Sequence, residues 1–274
     1  MAAPFIIMSA PNGARRQKTD HPELPISPQD MAHCAERIIE GGASILHMHV
    51  RDGKGRHSLD VDLYRASIKA VRATAGEDLI IQTTTESVGI YNRCQQIQIV
   101  KTLKPEAVSI ALRELCPTDD NLVDFTDFIR WMRAEHIFPQ YILYNETDYK
   151  RFEDYRKRGV FGDDNPFVLF VLGSYQGYSQ EIDAMTAQMT TISKKTITHW
   201  AVCGFDNNEK NCVKHAAQNG GHIRVGFENN LWRNEKELLL DNAEMIDYAA
   251  AMAQSENRPI ASAADVRNIF NLRE

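Results

Sequence analysis

The sequence has few of the features that mark secreted, membrane or nucleic-acid-binding proteins. Its 274 residues include only five cysteines, with no C-x-x-C pair, which argues against a disulfide framework and a thiolate zinc site. No apolar run approaches the roughly 20 residues that span a bilayer, and the first residues lack the pattern of a signal peptide. The net charge of −6 comes without a basic cluster. We therefore expect a cytoplasmic protein with a small-molecule substrate and no nucleic-acid or membrane partner.

The sequence does contain a repeated alternation of short apolar segments with amphipathic stretches. Hydrophobic residues make up 43% of the chain, and its length suits an α/β barrel, which typically takes about 250 residues. Because most of the apolar segments are hydrophobic throughout, they are typical of parallel strands covered by helices on the outside. Eight strands are predicted in this way, over residues 4–9, 44–50, 79–84, 107–112, 138–144, 167–172, 198–204 and 222–227.

The segments between the strands carry helix start and stop signals. Ser27-Pro28-Gln29-Asp30 reads as a capping box with proline in the first turn, and Gly41-Gly42 ends that helix. Further helices are predicted over residues 60–75, 92–103, 121–135, 179–194, 208–219, 234–252 and 262–270. Repeated strand-helix units form either an open doubly wound sheet or a closed barrel. Eight units favour a single (β/α)8 TIM barrel over residues 1–274, with the last helix as a C-terminal extension.

Two histidines stand at the end of the second predicted strand. Alternate side chains of a strand share a face, so His47 and His49 point the same way. Active sites of (β/α)8 barrels gather at the carboxyl ends of the strands. The pair could therefore hold a divalent metal. The alternative is one buried histidine bonded to the sheet beside one exposed histidine.

The eighth predicted strand ends in charged and amide residues at the same rim. Barrel closure places strands eight and two on either side of strand one, so Glu228 can approach the two histidines. Two histidines and one glutamate with an open position form a catalytic zinc set. The alternative for Glu228 is a salt bridge to Arg224 or Arg51. The residues alone leave both interpretations open.

Several motifs together resemble the β-keto acid cleavage enzymes. Residues 43–52 read A-S-I-L-H-M-H-V-R-D and resemble the H-x-H-x-R-D signature of that family. The resemblance continues in chain order through residues 10–13, 170–173, 220–228 and 261–272. It implies a (β/α)8 barrel that holds zinc and commonly forms a homotetramer. The implied reaction takes a β-keto acid and acetyl-CoA and gives acetoacetate and a new acyl-CoA.

The resemblance also implies roles for individual residues. The zinc ligands are His47, His49 and Glu228. Arg224, Asn229 and Thr84 are the expected catalytic residues. The expected substrate contacts are Arg15, Asn12, Thr83 and Ser109.

The chain departs from the family pattern in its acidic residues. Asn229 follows Glu228 where the family usually has an aspartate as general base, and an amide cannot accept a proton near neutral pH. Arg15 stands where a relative with an amino substrate has a glutamate, which argues against an amino-bearing substrate. Gln140 replaces the first acid of a P-E-x-E motif on strand five, and the second is also lost. Glu86-Ser87 replaces the usual Gly-Gly after strand three.

Three functions follow from these observations. The first is an acetyl-CoA-dependent β-keto acid cleavage enzyme of altered specificity. The second is a zinc-dependent aldolase or hydrolase that acts without CoA, with Asn229 donating hydrogen bonds. The third is a metal-binding family member that has lost catalysis. The other histidines lack paired ligand spacing and are predicted to lie on the surface or beside the ligands: His57, His136, His199, His215 and His222.

Overall fold

Eight parallel strands close into a barrel, in the order β1-β8-β7-β6-β5-β4-β3-β2. The computed structural model describes residues 2–162, 166–175 and 199–272. The strands are β1 Ile7–Ser9, β2 Ile45–Met48, β3 Ile80–Thr84, β4 Ala107–Ala111, β5 Phe138–Leu143, β6 Phe167–Leu172, β7 Trp200–Gly204 and β8 His222–Val225. The predicted (β/α)8 barrel is confirmed, and β1 pairs with both β8 and β2. A short antiparallel ribbon, Val50–Arg51 with His57–Ser58, follows β2.

Helices cover the outside of the barrel and begin where the sequence supplies caps. The Oγ atom of Ser27 accepts the Asp30 amide at 3.1 Å, and the Asp30 carboxylate accepts the Ser27 amide at 3.1 Å. Ser262 and Asp265 repeat this capping box at the last helix. The described α-helices are Pro28–Glu40, Val61–Ala75, Arg93–Leu103, Leu112–Leu115, Leu122–Ala134, Glu146–Lys157, Asn208–Gln218, Ala243–Ser255 and Ala263–Phe270, with a 3₁₀ turn at Asp119–Asn121. No helix among these residues is long and apolar enough to cross a bilayer.

The described helices match the predicted ones except at two long helices and the short helix Leu112–Leu115. The helix expected over residues 234–252 begins only at Ala243, because the Asp241 carboxylate accepts the Ala243 and Glu244 amides and starts the helix there. The helix Glu146–Lys157 was not predicted, since only a few of its residues are apolar. The helix predicted over residues 179–194 lies outside the described residues.

Strand parity sets which side chains reach the barrel interior. Ile45 of β2 and Ile80 of β3 belong to the apolar cluster inside the barrel. Their neighbours Leu46 and Ile81 belong to the cluster between the strands and the helices. Because side chains alternate along a strand, His47 therefore faces the interior. The interior face leads upward to the carboxyl-end rim, where the functional side chains collect.

Candidate metal centre and active-site cavity

Three buried side chains converge at the carboxyl ends of β2 and β8. His47 is the third residue of β2 and His49 follows that strand, while Glu228 lies in the loop after β8. The Nε2 atoms of the two histidines are 3.1 Å apart. The Oε2 atom of Glu228 lies 3.6 Å from Nε2 of His47 and 3.7 Å from Nε2 of His49. The predicted approach of Glu228 to both imidazoles is confirmed.

Hydrogen bonds determine which ring nitrogen of His47 is free. Its Nδ1 atom lies 2.8 Å from Oε1 of Gln82, an oxygen that can only accept. The side-chain nitrogen of Gln82 in turn donates to Oε1 of Gln140 at 3.3 Å. The proton of His47 therefore sits on Nδ1, and the lone pair of Nε2 faces the centre.

A second set of hydrogen bonds, called here the His57 relay, orients His49 through the antiparallel ribbon that follows β2. Nε2 of His57 donates to the backbone oxygen of Glu86 at 2.9 Å, so Nδ1 of His57 carries a lone pair. Nδ1 of His49 lies 3.4 Å from Nδ1 of His57 and donates a hydrogen bond to it. Nε2 of His49 is then also unprotonated. Two nitrogen lone pairs thus face each other at 3.1 Å, an arrangement that a cation between them stabilises.

The charges around the three side chains fit a divalent metal. Burial lowers the pKa of His47 to about 4 and the pKa of His49 well below its usual value, so both imidazoles are neutral, as metal ligands must be. Burial, with the nearby Glu228 charge, raises the pKa of Glu86 to about 7. The Oε2 atom of Glu228 is buried without a hydrogen bond among the described residues. These residues could hold a metal with a position open to the cavity.

Both sequence interpretations of Glu228 apply at once. Its Oε1 atom accepts a hydrogen bond from Arg224 at 3.2 Å, which is the predicted salt bridge. Its Oε2 atom stays directed at the histidines. The arginine therefore orients the carboxylate and leaves one oxygen for a metal.

Replacing His57 by phenylalanine should weaken metal binding without removing a ligand. The change deletes the acceptor that holds the Nδ1 proton of His49, and loss of such a partner costs roughly 10- to 100-fold in metal affinity. Competition with a chromophoric chelator measures the zinc affinity. The matched control is His33→Phe, because His33 is exposed on the outer surface. An unchanged affinity in His57→Phe would show that the relay does not orient His49.

A cavity of about 410 Å³ opens above His47, His49 and Glu228. Three further predicted site residues line it: Arg15, Thr84 and Arg224. Arg15 follows β1 and is exposed, and its Cζ atom lies 5.3 Å from the ring centroid of Tyr175. The cavity thus brings the two histidines, Glu228, a guanidinium and a threonine hydroxyl within reach of one small molecule.

The structure does not bring the other predicted substrate contacts to this cavity. Asn12 is fully buried and fixes the backbone of His49, since its side chain donates to the His49 oxygen at 2.9 Å and accepts the His49 amide at 3.3 Å. Thr83 lies on the outer face of β3, because Ile81 two residues earlier packs towards the helices. Ser109 faces the barrel interior but does not line the cavity.

Asn229 also does not line the cavity. Its side chain is fully buried, and neither amide atom has a hydrogen-bond partner among the described residues. Its backbone amide donates to the oxygen of Gly226 at 2.9 Å. Glu209 holds this loop by accepting the Gly226 amide at 2.9 Å and the Asn230 side chain at 3.0 Å. The loop therefore directs Glu228, and not Asn229, at the reaction space.

Several cavity residues had no predicted role in the sequence. Glu86 was noted only as a departure from the family pattern, and its side chain lines the cavity near His49. Arg113 and Tyr144 line the cavity from beyond β4 and β5. Their positions directly after strands are the one sequence signal that could have found them.

Comparisons with known proteins point to one family. The model of the beta-keto acid cleavage enzyme family matches residues 4–272. The 3-keto-5-aminohexanoate cleavage enzyme of Fusobacterium nucleatum is 26% identical over 280 residues, covering 100% of both chains. The 3-oxoadipate:acetyl-CoA acetyltransferase of Cupriavidus necator is 24% identical over 277 residues, covering 99% of this chain and 96% of the relative.

A solved structure supports the fold. The apo structure of ObcA aligns with a TM-score of 0.72 at 17% identity, covering 92% of this chain and 66% of that one. At this identity the likeness concerns the barrel alone. The family match over nearly the whole length decides the assignment, and the chain belongs to the beta-keto acid cleavage enzyme family.

Proposed function

We propose that this protein is a zinc-dependent enzyme that cleaves a β-keto acid with acetyl-CoA to give acetoacetate and a new acyl-CoA. The observation that supports it is the convergence of two neutral imidazoles and one unpaired carboxylate oxygen beneath a cavity, in a chain of this family. Zinc held by His47, His49 and Glu228 would supply Lewis-acid polarisation of a ketone oxygen. The remaining chemistry falls to the side chains around it.

Arg224 supplies positive charge at the floor of the cavity. It is buried and bonded to Glu228, and its Nε atom has no hydrogen-bond partner among the described residues. A guanidinium pairs well with a carboxylate. We assign Arg224 to the carboxylate of the β-keto acid, which places the neighbouring ketone beside the metal ligands.

Glu86 is the carboxylate best placed to act as general base. Its Oε2 atom lies 3.8 Å from Nδ1 of His49, it lines the cavity, and no hydrogen bond to its carboxylate is found among the described residues. In the proposed step Glu86 takes a proton from C2 of the β-keto acid, and the resulting carbanion attacks the thioester carbon of acetyl-CoA and displaces the CoA thiolate. The thiolate then attacks the ketone carbon, the bond between that carbon and C2 breaks with its electron pair on C2, and the proton returns to C2 to give acetoacetate and the new acyl-CoA. Asn229 lies outside the cavity and cannot accept this proton.

Arg15 should bias the enzyme against substrates with an ammonium tail. A guanidinium at the cavity repels ammonium and attracts a carboxylate or another acceptor. Kinetics with β-keto acids that differ only in tail charge should therefore rank the anionic or neutral tail above the amino tail in kcat/KM. Arg15→Ala should reduce the difference in kcat/KM between these substrates. The charge argument is wrong if the amino substrate is preferred, or if the ranking survives the substitution unchanged.

A homotetramer in the cytoplasm completes the proposal. The family resemblance supports the tetramer, and the scattered free cysteines suit a reducing compartment. Light scattering on the purified protein gives the mass directly. A mass near four times 31.1 kDa is expected, and a monomer would contradict the assignment.

The function is tested by incubating the zinc-loaded protein with acetyl-CoA and a panel of β-keto acids. Acetoacetate and a matching acyl-CoA should form in equal amounts. Metal-dependent turnover without CoA would instead favour an aldolase or hydrolase. Substrate binding without turnover would favour a family member that has lost catalysis.

A further inference from the structure

Arg113 lies on the cavity wall opposite the metal ligands. It follows β4 directly, at the start of the short helix Leu112–Leu115, and Tyr144 follows β5. The metal ligands follow β2 and β8, which flank β1. In a ring of eight strands, β4 and β5 lie across the mouth from β1. A substrate whose ketone lies at the metal ligands therefore extends its other end towards Arg113.

The guanidinium of Arg113 stacks on the ring of Tyr144, and its N–H groups remain available for a ligand. Its Cζ atom lies 3.5 Å from the ring centroid of Tyr144, which is stacking distance. Stacking uses the face of the guanidinium and leaves the N–H groups at its edge available. No hydrogen bond or ion pair joins Arg113 to another described residue, although it lines the cavity.

The carboxylate next to Arg113 in the chain does not form an ion pair with its guanidinium. Glu114 is next in sequence, but its oxygens accept hydrogen bonds from the amide and hydroxyl of Ser87 at 3.1 Å and from Gln96 at 2.6 Å. Glu86 and Glu228 lie near the metal end, which also holds the guanidinium of Arg224. The cavity thus has an arginine at each end, Arg224 beside the metal ligands and Arg113 opposite them.

We propose that Arg113 determines specificity by binding a second, distal carboxylate of the substrate, which would then be a β-keto dicarboxylate. The proposal rests on the function given above and names its substrate class. Arg224 takes the carboxylate beside the ketone, which leaves Arg113 for the distal carboxylate. Arg15 follows β1, which lies between the strands that carry the metal ligands, so Arg15 does not lie across the cavity from them. A phosphate of CoA is the other anion that a guanidinium at this position would bind. The experiment distinguishes the CoA phosphate from the distal carboxylate of the substrate.

The test compares Arg113→Met and Arg113→Lys with the wild-type protein on two β-keto acids of equal length, one with a distal carboxylate and one with a distal methyl ester. Arg113→Met should lower kcat/KM for the dicarboxylate by about 10- to 100-fold, the loss expected for a charge-assisted hydrogen-bonded pair. The ester and the KM for acetyl-CoA should change less than about threefold. Arg113→Lys should recover part of the loss. Arg130→Met is the control, because Arg130 is exposed and pairs with Asp127 on the outer surface.

Each contrary outcome is distinct. A raised KM for acetyl-CoA with unchanged discrimination would assign Arg113 to a CoA phosphate and overturn the proposal. Equal use of both substrates by wild type and Arg113→Met would overturn it while the cleavage function stands. If no β-keto acid is turned over, the cleavage function fails, and calorimetry with an unreactive saturated dicarboxylate decides the binding role. Binding that weakens at least tenfold in Arg113→Met supports the proposal, and equal binding overturns it.

Discussion

Replacing Glu228 by glutamine is expected to remove most bound zinc and to lower kcat/KM for β-keto acid cleavage by about 10³-fold or more, because Lewis-acid stabilisation by a metal is worth several kcal/mol. The substitution keeps the shape of the side chain and its contact with Arg224, but replaces the anionic ligand oxygen that faces the two histidines. Metal content and turnover are measured on the same sample.

Glu237→Gln is the matched control for this substitution. Glu237 is exposed, pairs with Arg233 and lies in the same region of chain, so the change should leave zinc and turnover unaffected. Thermal unfolding of both variants shows whether the barrel is intact. A folded Glu228→Gln protein with full zinc and full activity would exclude Glu228 as a ligand.

Replacing Glu86 by glutamine should lower the rate of acetoacetate formation by about 10²- to 10⁴-fold, the usual contribution of a general base. The amide keeps the size of the side chain and cannot take the C2 proton of the β-keto acid. Exchange of the C2 hydrogens of the β-keto acid with deuterated water, followed by mass spectrometry, should slow in parallel. A merely structural role would not slow exchange while the zinc content stays constant.

Two further variants sharpen the assignment of the base. Glu114→Gln changes a second carboxylate that lines the same cavity but is bonded to Ser87 and Gln96, and it should cost less than about tenfold. Asn229→Asp places a carboxylate at the family position. A gain in exchange from Asn229→Asp, together with no loss from Glu86→Gln, would place proton transfer at residue 229 instead.

The sequence predicts the barrel and the convergence of three candidate ligands because both follow from local patterns and barrel closure. Apolar runs predict the strands, and the H-x-H spacing with barrel closure places His47, His49 and Glu228 together. The predicted substrate contacts could not be placed in the same way. Whether such a side chain reaches the cavity depends on strand register and loop shape, which are long-range properties. Met48 pairs with Thr83, and His47 pairs with Gln82, so Thr83 shares the outward parity of Met48. This pairing cannot be read from β3 alone.

The loop after β8 is a second case in which local sequence patterns do not predict where side chains point. Gly226 has φ = 137°, and a Cβ atom there would lie 2.5 Å from the backbone oxygen of Ala10. The resulting turn sends Glu228 into the cavity and Asn229 into the protein interior. Adjacent residues of a motif therefore face different environments. The Arg113–Tyr144 stack likewise joins two residues that are distant in the chain, and neither forms a motif.

We propose a catalytic zinc centre on His47, His49 and Glu228. The most direct measurement is the metal content of the purified protein together with acetoacetate formation from acetyl-CoA before chelation, after chelation and after zinc is restored. We predict one zinc per chain, loss of turnover on chelation and recovery with zinc. Full turnover in metal-free protein would contradict the claim.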